Sequence, residues 1–187
     1  MTTGAFYEIG PTYDRKMMNP ADARLENVTM TAHVLIALSA VDSLTGVAQS
    51  RVDTARTGAT AFLDARVQYL QDPFHTALVA YALTVAPQSA ERQTVVDKLR
   101  EKSIDGSYWS REPIPANPTA ITNTVPYIFP RQLYPHEGAA VQATSYALLV
   151  YTINDLTEDA EPVMKWLQTM RNTIGGFAGT RVSAREG

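Results

Sequence analysis

At 187 residues the chain is long enough for one domain with a core of its own, and its hydrophobic fraction of 45% and charged fraction of 19% are ordinary for a water-soluble protein. A net charge of −3 gives no electrostatic reason to expect nucleic acid or an anionic membrane as partner. The absence of cysteine excludes disulfides, thiolate metal sites and cysteine nucleophiles within the chain, and His33, His75 and His136 fall in separate segments with no zinc spacing. The longest apolar runs are short of a bilayer span and none opens the chain in a signal-peptide layout, so a literal reading is cytosolic.

Residues 1–24 read as a loop segment punctuated by Gly4, Gly10, Pro11 and Pro20. A first helix is expected from about Asn27 to Val41, with positions 31, 34, 35 and 38 on one apolar face and Ile36 and Ala37 on the other side. An amphipathic helix follows from Arg51 to Arg66, its stripe made by Val52, Ala55, Ala59, Phe62 and Leu63. Asp72 is a good N-cap with Pro73 at the first helical position, and this third helix runs to Ala86, where Pro87 stops it. Ser89 is expected to cap a fourth helix to Lys102, buried through Val95, Val96 and Leu99.

Residues 103–138 hold six prolines and no helical period, and read as an irregular insertion that is either a surface crossing or a functional segment. Tyr127-Ile-Phe129 is a candidate short strand. The helical pattern resumes with an all-apolar stretch over Ala139–Asn154. An amphipathic helix then covers Glu158–Asn172, capped by Thr157 and buried through Val163, Leu167 and Met170. Together these make a single domain over 1–187: hairpins over 25–102, the insertion over 103–138, a hairpin over 139–174 and a divergent tail over 175–187.

Three of the helices repeat one theme: Thr31-Ala-His-Val-Leu-Ile-Ala-Leu38, Thr76-Ala-Leu-Val-Ala-Tyr-Ala-Leu83 and Thr144-Ser-Tyr-Ala-Leu-Leu-Val-Tyr151. A helix apolar on all sides must be buried on all sides, whereas its amphipathic partner faces water. The alternation predicts an all-α fold: part of an α/α toroid with inner and outer helices in turn. The repeat from Thr31 to Thr76 is 45 residues and from Thr76 to Thr144 is 68, which places the extra length in the insertion.

Several segments in order resemble the thioester-containing domain of the α2-macroglobulin and complement superfamily, including insect thioester-containing proteins. Gly4-Ala-Phe6-Tyr-Glu8-Ile-Gly10-Pro-Thr-Tyr-Asp14-Arg-Lys-Met17 is similar to that domain's G-x-F-x-E-x-G segment with its basic-methionine end. Thr31–Leu38, Thr76–Leu83, Tyr108-Trp109, Val141–Leu149, Val163–Asn172 and Gly175-Gly-Phe177 resemble its later motifs in the same sequence. Two departures stand out. The family's G-C-G-E-Q stretch, whose cysteine and glutamine form the thioester, belongs upstream of residue 1. After Gly175-Gly-Phe177 the familiar continuation is replaced by a divergent tail. The resemblance therefore implies a fragment of a secreted, extracellular parent of innate immunity or protease trapping, an endopeptidase inhibitor or opsonin. Its partners would be proteins or microbial surfaces and the parent's remaining domains, with no nucleic acid, membrane insertion, metal or cofactor. An open ring would leave apolar faces bare, so marginal stability is expected for the piece alone.

By the same resemblance, Asp14 occupies the position that chooses the acceptor. Many relatives have a histidine there that attacks the thioester, and one isotype within the family has aspartate and reacts with amines directly. A carboxylate is a poorer nucleophile and poorer leaving group than imidazole, so amide formation is favoured over ester formation. The bland alternative is a solvated loop carboxylate. Gln142 replaces a common family glutamate. His33, in an all-apolar helix, reads as a hydrogen-bonded core histidine and His75 as local structure in a helix's first turn, where a cation gains nothing from the dipole. Trp109 and Trp166 read as packing residues. Asn27-Val-Thr29 is a glycosylation sequon, or Asn27 caps the first helix. Two other functions compete: a thioester-less binding module that uses residues 103–138, and an enzyme on the same ring fold. The second lacks aspartate-rich or zinc-binding motifs.

Overall fold

A computed structural model describes residues 4–7, 20–41, 44–86, 88–114 and 137–171. Six α-helices form among them: α1 Val28–Ser39, α2 Gly46–Asp64, α3 Pro73–Val85, α4 Arg92–Glu101, α5 Glu137–Ile153 and α6 Thr157–Thr169. Short 3-10 turns occur at Ala23–Leu25 and Val67–Tyr69. The expected strand at Tyr127–Phe129 and the tail over 175–187 lie outside the described residues.

The three repeated helices pack side by side, with α3 between α1 and α5. Each carries its successor on the outside: α2 on α1, α4 on α3 and α6 on α5. The fold is all-α, an arc of inner and outer helices of the α/α toroid kind. Its core runs along α3, where Ala77, Leu78, Ala80, Ala82 and Leu83 are fully buried. The buried sides of the outer helices are those the periodicity selects: Ala59, Phe62 and Leu63 on α2, Val95, Val96 and Leu99 on α4, Val163 and Leu167 on α6. Charged side chains tie neighbouring helices at their ends. Arg56 on α2 donates from Nε to Leu38 O (2.9 Å) and from Nη2 to Val41 O (2.7 Å), satisfying carbonyls at the C-terminal end of α1 where a cation is favoured. Arg100 on α4 meets Asp159 on α6 at 2.6 Å.

Four details depart from the sequence reading, each for a local reason. First, α2 begins at Gly46, five residues before the expected start at Arg51. Its first turns have almost nothing to pack on (Val47 is 75% exposed) and are held by polar contacts instead. Gln49 accepts from Leu44 N–H at 3.0 Å and donates to Asp53 at 2.8 Å. Second, Ser89 does not cap α4, which starts at Arg92 behind Glu91. The Ser89 hydroxyl donates to Asp64 Oδ1 at 2.6 Å and Ala90 N–H to Oδ2 at 3.1 Å, so this segment is fastened to the end of α2. Third, Thr157 is the first residue of α6 and Leu156 holds the cap position.

The last departure concerns burial. α3 is covered nearly all round, but α1 exposes Ala37 and half-exposes Val34, Ile36 and Leu38, while α5 exposes Leu149 and Ile153. α3 has an inner neighbour on both sides; among the described residues α1 and α5 have one each.

Candidate functional site

Two non-helical segments cross the inner helices, and a threonine of the repeated motif receives each of them. Phe6 N–H donates to Thr31 Oγ1 at 2.9 Å, and Trp109 N–H donates to Thr144 Oγ1 at 3.1 Å. Both threonines are fully buried. A backbone N–H pressed against an apolar helix loses water and must find a protein acceptor, which a hydroxyl on that helix supplies. The middle repeat behaves differently: Thr76 is equally buried but turns its hydroxyl to Asp72 O at 2.8 Å.

The first segment leads toward residue 14. It passes so close to α2 that Gly4, at φ +70°, has no room for a side chain; a Cβ there would stand 2.1 Å from Gly58 O. The backbone crossing therefore needs glycine at position 4 on two counts, left-handed φ and contact. Beside it a groove of about 760 Å³ opens between Gly4–Tyr7 and the face of α2 bearing Val47 and Arg51.

The second segment starts in a tight turn closed by Ser107 N–H to Ile104 O at 3.0 Å, with Asp105 and Gly106 both left-handed. The chain then drops Trp109 into the core, where its indole Nε1 donates to Leu99 O at 2.7 Å and its ring stands edge-on to Tyr151. Tyr108 lies flat on Trp166 of α6, centroids 4.8 Å apart, and its hydroxyl accepts from Ile114 N–H at 3.1 Å. Two residues beyond Trp109, Arg111 Nε returns to Asp72 Oδ2 at the start of α3.

Asp72 is thus shared between a helix and a loop. Its Oδ1 accepts from Phe74 N–H (3.0 Å) and His75 N–H (3.2 Å), the expected N-cap. The His75 ring is buried and puts Nδ1 3.1 Å from Oδ1, and among the described residues neither ring nitrogen has a hydrogen-bond partner. Burial pushes the Asp72 carboxyl up, but His75 and Arg111 beside it outweigh burial and hold it well below the usual carboxylate range.

The other sequence-selected residues sort plainly. Asp14 lies outside the described residues. His33, half-buried on α1, places Nδ1 2.8 Å from Thr29 O, which fixes the proton on that nitrogen and makes the ring a helix-backbone tie. Asn27 stands at the N-cap position of α1 in the left-handed conformation (φ 64°), and its side chain makes no capping bond. Among the described residues no group of three His, Asp or Glu could hold a metal ion, and no helix is long and apolar enough to cross a membrane. Sequence reasoning missed the hydroxyl acceptors at Thr31 and Thr144, although threonine recurring at the head of each motif was the available signal. It also missed the pairing of Arg111 with Asp72, 39 positions apart, which no local pattern encodes.

Stacked helical hairpins with two strapped segments across the inner row define a class: an α/α ring domain with irregular chain laid on its inner helices. The chain matches the A-macroglobulin TED domain over residues 1–183 and belongs to that family. It is 26% identical over 183 residues to Complement C3 of Lethenteron camtschaticum, covering 95% of this chain and 10% of that protein. It is 26% identical over 178 residues to Complement C3 of Oncorhynchus mykiss, covering 95% and 9%. To Ophiophagus venom factor of Ophiophagus hannah it is 28% identical over 176 residues, covering 94% and 9%. The chain spans about a tenth of the length of these curated relatives.

Proposed function

We propose that the chain serves in a secreted, complement-like parent that attaches covalently to its targets through a thioester, with this part acting as scaffold and as carrier of the acceptor-choosing position. The family match over residues 1–183 carries the reading. The thioester would reside elsewhere in the parent, since its cysteine is not among these residues. Gly4 and Phe6, anchored on Gly58 and Thr31, would give the segment that leads to residue 14 a fixed point of departure.

Asp14 sets the chemistry in this proposal. A target amine attacks the thioester carbonyl, the C–S bond breaks, the thiolate leaves and takes up the amine's proton, and an amide remains. Hydroxyls are weaker nucleophiles and need a base. A histidine at position 14 would form an acyl-imidazole and free the thiolate for that work; a carboxylate does so poorly. The test is acceptor choice in the full-length parent, with labelled methylamine and glycerol compared for wild type and Asp14→His. The wild type is expected to take up methylamine in preference, and Asp14→His to raise glycerol uptake on the order of a hundredfold, the low end of what a positioned base supplies. Equal uptake of both labels by the wild type would defeat the role given to Asp14.

A further inference from the structure

Asn27-Val-Thr29 is the chain's one open N-glycosylation sequon, Asn117-Pro-Thr119 being barred by its proline. In the fold it is a piece of buried backbone. Asn27 is 9% exposed, Thr29 is fully buried, and the neighbours Leu25 and Val28 are core residues. The Asn27 carbonyl accepts the first helical bond of α1, from Thr31 N–H at 3.0 Å, and that same Thr31 receives the Phe6 strap. Asparagine is one of the few residues that adopts the left-handed conformation without large strain, which gives Asn27 a structural reason to be there.

We infer that this sequon stays unglycosylated in the folded protein and that Asn27 serves to turn the chain into α1. A glycan on Nδ2 must stand in water. To put it there Asn27 would have to swing out of its packed position, unwinding the first turn of α1, withdrawing Val28 from the core and shifting Thr31 under Phe6. Further domains of a longer protein can only add cover at this point. Attachment before folding changes nothing, because the modified chain could not then seat α1. Thr29 supports the same conclusion: its buried hydroxyl has no hydrogen-bond partner among the described residues, so valine there would abolish the sequon and remove an unsatisfied polar group at once.

The test uses the full-length parent expressed behind a heterologous secretion signal in a eukaryotic host, so that the sequon meets the transferase whatever the native compartment. That arrangement separates the inference from the secretion reading proposed above, on which it does not otherwise depend. Peptide mapping with and without glycosidase is expected to return the Asn27 peptide at its unmodified mass. Thr29→Val is expected to secrete at least as well as wild type with no loss of glycan mass. Asn27→Gln, which also removes the sequon but forces a less tolerant residue into left-handed backbone, is expected to lower the yield severalfold. A glycan on most secreted molecules would overturn the inference, and so would a Thr29→Val yield as low as that of Asn27→Gln.

Discussion

Replacing Trp109 with alanine is expected to cost the fold about 3–5 kcal/mol, the range for deleting a large buried aromatic. The side chain is fully buried, and the residue fastens its own segment to two helices, α4 and α5. Its ring packs against Tyr151 of α5, its indole N–H satisfies Leu99 O near the end of α4, and its backbone N–H is the one received by Thr144. Alanine would leave a cavity between α4 and α5 and strip Leu99 O of its indole donor, leaving it only the bond from Lys102 N–H at 3.2 Å. Against a typical total of about 5–15 kcal/mol for a domain, such a loss removes most of the margin. Urea denaturation followed by far-UV circular dichroism checks it. Trp109→Phe should cost less and isolates the indole bond, worth about 1 kcal/mol, because Leu99 O keeps the bond from Lys102 N–H. Trp166→Ala, half-buried on α6 against Tyr108, should cost clearly less than Trp109→Ala; equal costs would mean that Trp109 does not tie the layers together.

Asp72→Ala is the second large effect, expected at about 2–3 kcal/mol: roughly 1–2 kcal/mol for the lost N-cap, plus the lost charge interaction. The Arg111 share of that is small because its side chain is 75% exposed and the pair is screened by solvent. Asp72→Asn separates the two parts, since asparagine caps a helix about as well but carries no charge. The same residue sets an acid sensitivity. The folded state holds the carboxyl below its unfolded value, so its stabilising contribution is complete at neutral pH and declines as the pH falls below about 4. Denaturation curves at stepped pH should show wild type losing more stability than Asp72→Asn over that acid range, and the two slopes coinciding would refute the assignment. Loss of the carboxylate should also free the segment at Arg111, read as faster hydrogen exchange between Ile104 and Ile114.

The parts of the architecture that could be read in advance are those a local pattern encodes. The N-cap Asp72 with Pro73 marks the start of α3, and the 3.6-residue spacing of Val95, Val96 and Leu99 or Val163 and Leu167 marks an outer helix's dry side. Periodicity is silent about solvated turns, which is why α2 began five residues early. It is equally silent about how many neighbours an apolar helix has: α1 and α3 have nearly the same composition, yet α3 sits between two inner helices and α1 beside one. Hydroxyl competition misled at Ser89, where the carboxylate of Asp64, distant in sequence, outbid a free helix end. At the site, the motif threonines were visible as repeats but their task was not, because the N–H groups they receive come from segments without a pattern. The role of residue 14 comes from resemblance alone.

Whether the parent bears a thioester is tested by methylamine treatment of the full-length protein, with thiols titrated alongside label. Aminolysis of an internal thioester must incorporate amine and release a thiol together, because one bond-breaking step produces both. The result expected is a new free thiol appearing in step with covalent methylamine. If the parent takes up no label and releases no thiol, it is a thioester-less relative, and the covalent function proposed here is wrong.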